Sequence, residues 1–398
     1  MQIDIDDLGS SLELAREGIS AGVEKENEEQ EYASNEPFDP EAISISTRIV
    51  ALDTVLRRLK NKTIRLAPDF QRSFIWDATR RSRLIESMIL RIPLPMFYVS
   101  EDQNGIWEVV DGLQRLTTIK DFILGPDGDG KGDLLTNLEF WGKTLNGKNF
   151  FTLESDIKAT RVVNSIMETE LSFTIINPDT PEMVKRNIFK RINTGGMRLS
   201  EQEIRHALYQ GVSTDLLKDM VEDEYYKFVT GNTVKDDRMA GRELILRFLA
   251  FYLIGRDIYD GNIDNFLSET MMFLNRNISK DSYVQATGAL LSFFRSGLRR
   301  SYELFGEHSF RNSTVNSGRK APINKSLFEV WINILGELNE TEFDSLKNNF
   351  NQFQYEYEKL LSDEDVVNSI SRYGASKAGA FERYNIFKGL VTRCAIRS

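Results

Sequence analysis

Residues 106–123 read IWEVVDGLQRLTTIKDFI, and this stretch decides the fold of the first half of the chain. IWEVV has strand character, and Leu116, Ile119, Phe122 and Ile123 then recur at helical spacing up to Gly125. A single Asp111-Gly112 step separates the two, so the reading is strand, tight turn, helix. Glycine in such a turn permits close backbone approach. The first helical N–H groups, at the positive end of the helix dipole, then form an anion site. Arg115 adds the paired planar donors that suit phosphate oxygens. Asp111 either holds a magnesium ion that bridges those oxygens or orients a water. The same spacing fits an ordinary Asp-Gly turn, and spacing alone leaves both readings open.

Upstream, MFYVS and IWEVV flank the turn EDQNG as a hairpin, and Pro93 and Pro95 mark the end of a preceding helix. That helix is capped by Asp77 and buries Leu84, Ile85, Met88 and Ile89, with Arg80, Arg81 and Arg83 on its other side. Before it, RIV, LDTVLRRL and IRL read as strand, helix, strand, broken by Pro68 and Asp69. Gln71 and Arg72 lie between this last strand and the capped helix. If the two strands are sheet neighbours, Arg72 and Arg115 emerge at the same end and focus positive potential on one pocket. The structural alternative pairs Arg72 with Asp111 or Glu86. Phe74 and Trp76 suit either base stacking or the core.

Downstream, PDGDGKGD (126–133) alternates acids with glycines, yet Leu138 stands where a calcium loop that starts at Asp127 needs its twelfth-position acid. It reads as a flexible excursion. ELSFTIIN returns to a strand, Thr180 and Pro181 open a helix closed by Gly195 and Gly196, and Ser200 with Glu203 forms a capping box for the next. Beyond Gly211 the segments RELILRFLAFYLI, IDNFLSETMMFL, YVQATGALLSFF, LFEVWINIL and FDSLKNNFNQFQYEYEKLL all have helical period, interrupted by the basic loop 306–325.

With 398 residues, 41% hydrophobic and 28% charged, the chain suits two or three globular domains. No run approaches the length of a membrane span, and the acidic start MQIDIDDLGS is unlike a basic leader, so the expected location is the cytoplasm. Cys394, His206 and His308 are too few for a structural zinc site or a clustered-histidine nuclease. The net charge of −10 is concentrated: residues 1–43 hold 13 acids against Arg16 and Lys25, and the body is nearly neutral. Residues 1–43 are expected to form an acidic, disordered tail, with a short helix allowed within 11–23. The tail reads either as a solubilising leader or as a strip that competes with nucleic acid.

Five ordered blocks carry a family resemblance: PDFQRSFIW (68–76), LIESMILRIPLPMFYV (84–99), EVVDGLQRLTTIKDFI (108–123), FKRINTGGMRLSEQEIRHALY (189–209) and RMAGRELILRFLAF (238–251). In that order they resemble the ParB/sulfiredoxin-like domain of the GmrS half of GmrSD-type modification-dependent restriction systems, also found in the N-terminal part of the phosphorothioate sensor SspE. INKSLFEVW (323–331) resembles a segment of the family's helical part. The resemblance implies an α+β fold: a small mixed-sheet ParB/sulfiredoxin-like domain over residues 44–200, then an all-helical domain over 201–398. It also implies a magnesium-dependent NTPase coupled to DNA restriction or anti-phage defence. Asp111, Gly112, Gln114 and Arg115 match the family's Asp-Gly-Gln-Gln-Arg signature, with Leu113 in place of its first Gln. By this carry-over Asp111, Gln114 and Arg115 are catalytic and Asp111 binds the metal. Gln71, Arg72, Gly112, Arg115 and Asn193 contact the nucleotide, and Asn193, Gly195 and Gly196 match a helix-end motif. Leu113 puts nucleotide choice or hydrolysis in question, so the alternative is a non-catalytic nucleotide- or DNA-binding subunit that docks a separate nuclease. The family's His-Asn-His nuclease has no counterpart here, and sulfiredoxin chemistry would need a Cys near the phosphate loop. Expected partners are a nucleotide, DNA and that nuclease subunit.

Overall fold

The computed structural model describes residues 19–20, 22–24, 44–66, 76–192, 200–236, 238–317, 319–372 and 374–396. The chain divides into two units, residues 36–199 and the remainder.

The first unit is built on a five-stranded mixed sheet. Its strands are β1 (Ile45–Ala51), β2 (Ile64–Arg65), β3 (Phe97–Glu101), β4 (Trp107–Asp111) and β5 (Glu170–Ile176), in the order β1-β5-β3-β4-β2. β1 with β5 and β3 with β4 are antiparallel, whereas β5 with β3 and β4 with β2 are parallel. Alternation along the strands sends Phe97, Val99, Trp107, Val109, Leu171, Phe173 and Ile175 into one core. There the Phe97 and Phe173 rings stack at 5.3 Å. The same core takes the apolar stripes of α1 (Leu52–Lys60), α2 (Ala78–Ile89), α3 (Leu113–Leu124) and α4 (Thr160–Met167). α5 (Glu182–Ile192) follows β5. The predicted stripe Leu84, Ile85, Met88 and Ile89 is buried, and Asp77 caps α2 by accepting the Arg80 N–H at 2.7 Å. Residues 126–133, expected as a free excursion, are tied back. Gly130 N–H donates to Leu124 O at 2.8 Å, Lys120 Nζ donates to Pro126 O at 3.0 Å, and Arg81 pairs with Asp133.

The second unit is helical: α6 (Glu201–Leu208), α7 (Val212–Glu222), α8 (Ala240–Leu253), α9 (Ile263–Asn277), α10 (Tyr283–Phe305), α11 (Lys325–Glu337), α12 (Glu340–Asn348), α13 (Phe350–Leu361) and α14 (Lys377–Ile396). The Ser200–Glu203 capping box forms as predicted. α8 is buried on nearly every side, which is why RELILRFLAFYL is apolar around its whole circumference. The acidic tail needs a correction where it is described. Ile19–Ser20 and Val23–Glu24 pair as a small antiparallel hairpin in place of the helix allowed there. Val23 is buried, and the Glu24 N–H donates to Ile323 O at 2.8 Å. Val23–Glu24 is thus held by burial of Val23 and by an isolated backbone bridge to Ile323. The rest of residues 1–43 lies outside the described residues.

Candidate functional site

The expected strand–turn–helix is present. β4 ends at Asp111, Gly112 caps the N-terminus of α3, and no side chain caps the helix. Gly112 has φ +94°, and a Cβ there would sit 2.4 Å from Phe97 Cδ1, so both conformation and space require glycine. The first N–H groups of α3 have no intrahelical acceptor, as at every helix start. They lie directly beyond the C-terminal end of β4.

Arg115 turns back across this end of the sheet. Its guanidinium donates to Asp111 Oδ2 at 2.9 Å, to Met96 O at 3.1 Å and to Pro95 O, and it lies over the Phe97 ring at 4.5 Å. Burial pulls its pKa down from the ordinary arginine value, and the Asp111 carboxylate opposes that shift. Asp111 keeps 44% of its side chain exposed, against 11% for Arg115. Its other carboxylate oxygen has no hydrogen bond among the described residues. Gln114 Oε1 is buried without a partner among the described residues. Leu113 packs against the apolar core, which explains an apolar residue at this signature position.

Arg115 therefore fixes the entry of β3 and orients Asp111, while Asp111 presents an open carboxylate edge. Asp111 pairs with Arg115, and Glu86 accepts backbone N–H groups of Glu139, Phe140 and Trp141, so each carboxylate considered as a partner for Arg72 has other partners. β2 and β4 are parallel neighbours, the condition under which residues after β2 leave the sheet at the Asp111 end. Gln71, Arg72 and Phe74 themselves lie outside the described residues, as do Asn193, Gly195 and Gly196.

Sequence reasoning missed Glu108. Tyr98 faces Asp111 and Ser100 faces Glu108, but Val99 faces Val109, so Val110 is an extra residue in β4. That bulge turns Glu108 and Asp111 to the same face of the sheet, although they are three residues apart. Burial pushes the Glu108 carboxyl up to about 7, with Arg65 at 3.3 Å pulling it down and Asp102 adding to the rise. The alternation of IWEVV signals a face opposite the core for Glu108, but nothing in the sequence marks the bulge.

The histidines take structural places. His206 is buried, with Nδ1 3.5 Å from Arg242, and His308 Nδ1 is 2.9 Å from Ser313 Oγ. Arg311, in the loop read as basic, is buried and donates to Thr230 O and Thr233 Oγ1 at 3.0 Å. No cluster of three or more His, Cys, Asp or Glu poised for a metal occurs among the described residues.

Residues 54–210 match the family model of the GmrSD restriction endonuclease, N-terminal domain. This GmrSD-type match runs from α1 through α6 and contains Asp111 to Arg115 and the bulge before them. Comparisons with curated proteins and with solved structures find no match. Among the described residues no helix is long and apolar enough to cross a membrane.

Proposed function

We propose that the end of β4 and the start of α3 bind the phosphates of a nucleoside triphosphate and hydrolyse it, on a ParB/sulfiredoxin-like domain whose nucleotide state governs DNA restriction or anti-phage defence in the cytoplasm. The observation that carries this reading is the glycine-capped helix start beside a half-exposed Asp111 held in place by Arg115. The unpaired N–H groups of α3 take phosphate oxygens, and the open Asp111 oxygen and Glu108 lie on one face beside them. A single exposed carboxylate fits magnesium, which commonly takes one or two protein carboxylates and completes its shell with phosphate and water. When bound, the ion would neutralise charge developing on the transferred phosphoryl group. Asp111 would hold it, Arg115 would keep Asp111 in place, and Gln114, with its buried Oε1 unpartnered, would turn toward the nucleotide or its attacking water. Gln71, Arg72 and Asn193 complete the pocket in this proposal.

A second reading has its own observation. Leu113 is partly buried against the core and the Arg115 donors are spent on Pro95, Met96 and Asp111, which suits a regulatory subunit that binds nucleotide or DNA phosphate without turnover and docks a separate nuclease. Phosphate release separates the two. The hydrolase releases phosphate from at least one common NTP with magnesium, and Asp111→Ala and Arg115→Ala abolish it. Wild type and variants equally inert, with nucleotide still bound, leave the regulatory reading.

A further inference from the structure

A second surface of the first unit presents aromatic rings to solvent on an unusually firm support. Phe140 is 73% exposed and Trp141 38% exposed, yet the backbone beneath them is fixed from α2. The Glu86 carboxylate is buried there and accepts the N–H groups of Glu139, Phe140 and Trp141 at 2.9, 2.8 and 2.9 Å. Thr136 N–H donates to Ser82 Oγ at 2.9 Å, and Asn137 Nδ2 donates to Thr79 Oγ1 at 3.0 Å. Burial acts against the Glu86 charge, but the three N–H donors and Arg83 hold its pKa below the ordinary value. A buried carboxylate spent on a turn whose side chains face water indicates a turn kept rigid for contact with something else.

The charges beside it indicate what. Arg80 and Arg83 precede Glu86 on the same face of α2 at successive turns, and Lys143 follows Trp141. Arg80 lies over the Trp76 ring at 4.5 Å, Arg83 is half exposed, and Arg80 and Lys143 have no ion pair among the described residues. Arg83 is paired with Glu139 at 3.0 Å, and Asp77 accepts the Arg80 N–H at 2.7 Å and keeps its charge, so the cations open to a ligand are Arg80 and Lys143. Two open cations beside an exposed aromatic turn, with Trp76 packed against the core beneath Arg80, match a strand that carries phosphates and bare base faces.

We propose that Trp76, Arg80, Arg83, Phe140, Trp141 and Lys143 form a binding surface for single-stranded DNA, with unpaired bases stacked on Phe140 and Trp141 and phosphates on Arg80 and Lys143. A duplex offers phosphates but no free base faces, so the aromatic turn favours the unpaired strand. This goes beyond the nucleotide reading and does not depend on it.

The test uses the full chain, without nucleotide, and fluorescence anisotropy of a labelled oligothymidylate. Phe140→Ala with Trp141→Ala is expected to weaken binding about tenfold or more, the loss of one to two stacked bases. Lys143→Gln flattens the salt dependence, and Phe151→Ala with Ile157→Ala, exposed elsewhere on the unit, changes nothing. Unaltered affinity in the double aromatic variant overturns the proposal. So does equal binding of an oligothymidylate and a duplex of the same length, or loss of self-association in place of DNA binding.

Discussion

Arginine is used in opposite ways in the two units. At the end of β4, Arg115 holds an Asp111 that remains 44% exposed, and the pair leaves one carboxylate oxygen open. In the helical unit, Arg383 of α14 is fully buried, donates to Glu329 of α11 through Nε at 3.0 Å and through Nη2, and also reaches Gly374 O at 2.6 Å. Arg205 of α6 likewise pairs with Asp264 of α9 in the interior, and Lys325 meets Glu243 of α8 at 2.7 Å. Glu243 is held down to about 2: burial pushes it up, but Lys325, Arg205 and Arg247 outweigh that. Charges enclosed on all sides fix which helices meet. Charges left half open are available to a ligand.

The sharpest way to break this contrast is Arg383→Met. Removing Arg383 leaves Glu329 in the interior with only the longer contact to Arg247 at 3.7 Å, at a cost of about 3 kcal/mol. A urea melt followed by circular dichroism should show the transition at much lower urea. An unshifted transition would show that the buried network does not brace the helices.

A smaller effect, on the other unit, is expected from Glu108→Gln. Because the folded pKa is raised to about 7 from an ordinary carboxylate value near 4.5, the folded state binds the proton more tightly than the unfolded chain. The favourable contribution is complete below about pH 4.5 and is lost as pH rises through 7, where a charge must be kept in a buried site. Glu108→Gln should therefore be more stable than wild type at pH 8, by up to about 3 kcal/mol, with the gap closing toward pH 5. Melts at the two pH values check it, and a constant gap would place the Glu108 effect in packing and not in ionisation.

The two units also differ in how much their sequence discloses. Elements set by local period were readable: the α2 stripe from Leu84 to Ile89, the Asp77 cap, the Ser200–Glu203 box and the step from β4 into α3. What escaped depends on partners far along the chain. The Val110 bulge exists only in register with β3, and Glu86 finds its three donors 53–55 residues away. The acceptors of Arg115 at Pro95 and Met96 come from the loop into β3, so a residue read as a phosphate ligand holds that loop in the structure. Val23 pairs with Ile323, which no reading of the acidic segment alone would supply. The candidate site was legible as a motif because its turn is local. Its geometry was not, because sheet register is a tertiary property.

The central claim is that the start of α3 receives nucleotide phosphate, and amide hydrogen exchange with and without NTP and magnesium tests it most directly. The account predicts that the N–H groups of Leu113, Gln114 and Arg115 exchange more slowly when nucleotide is added, and that Asp111→Ala removes that protection. Bound nucleotide with unchanged exchange at 113–115 would contradict it.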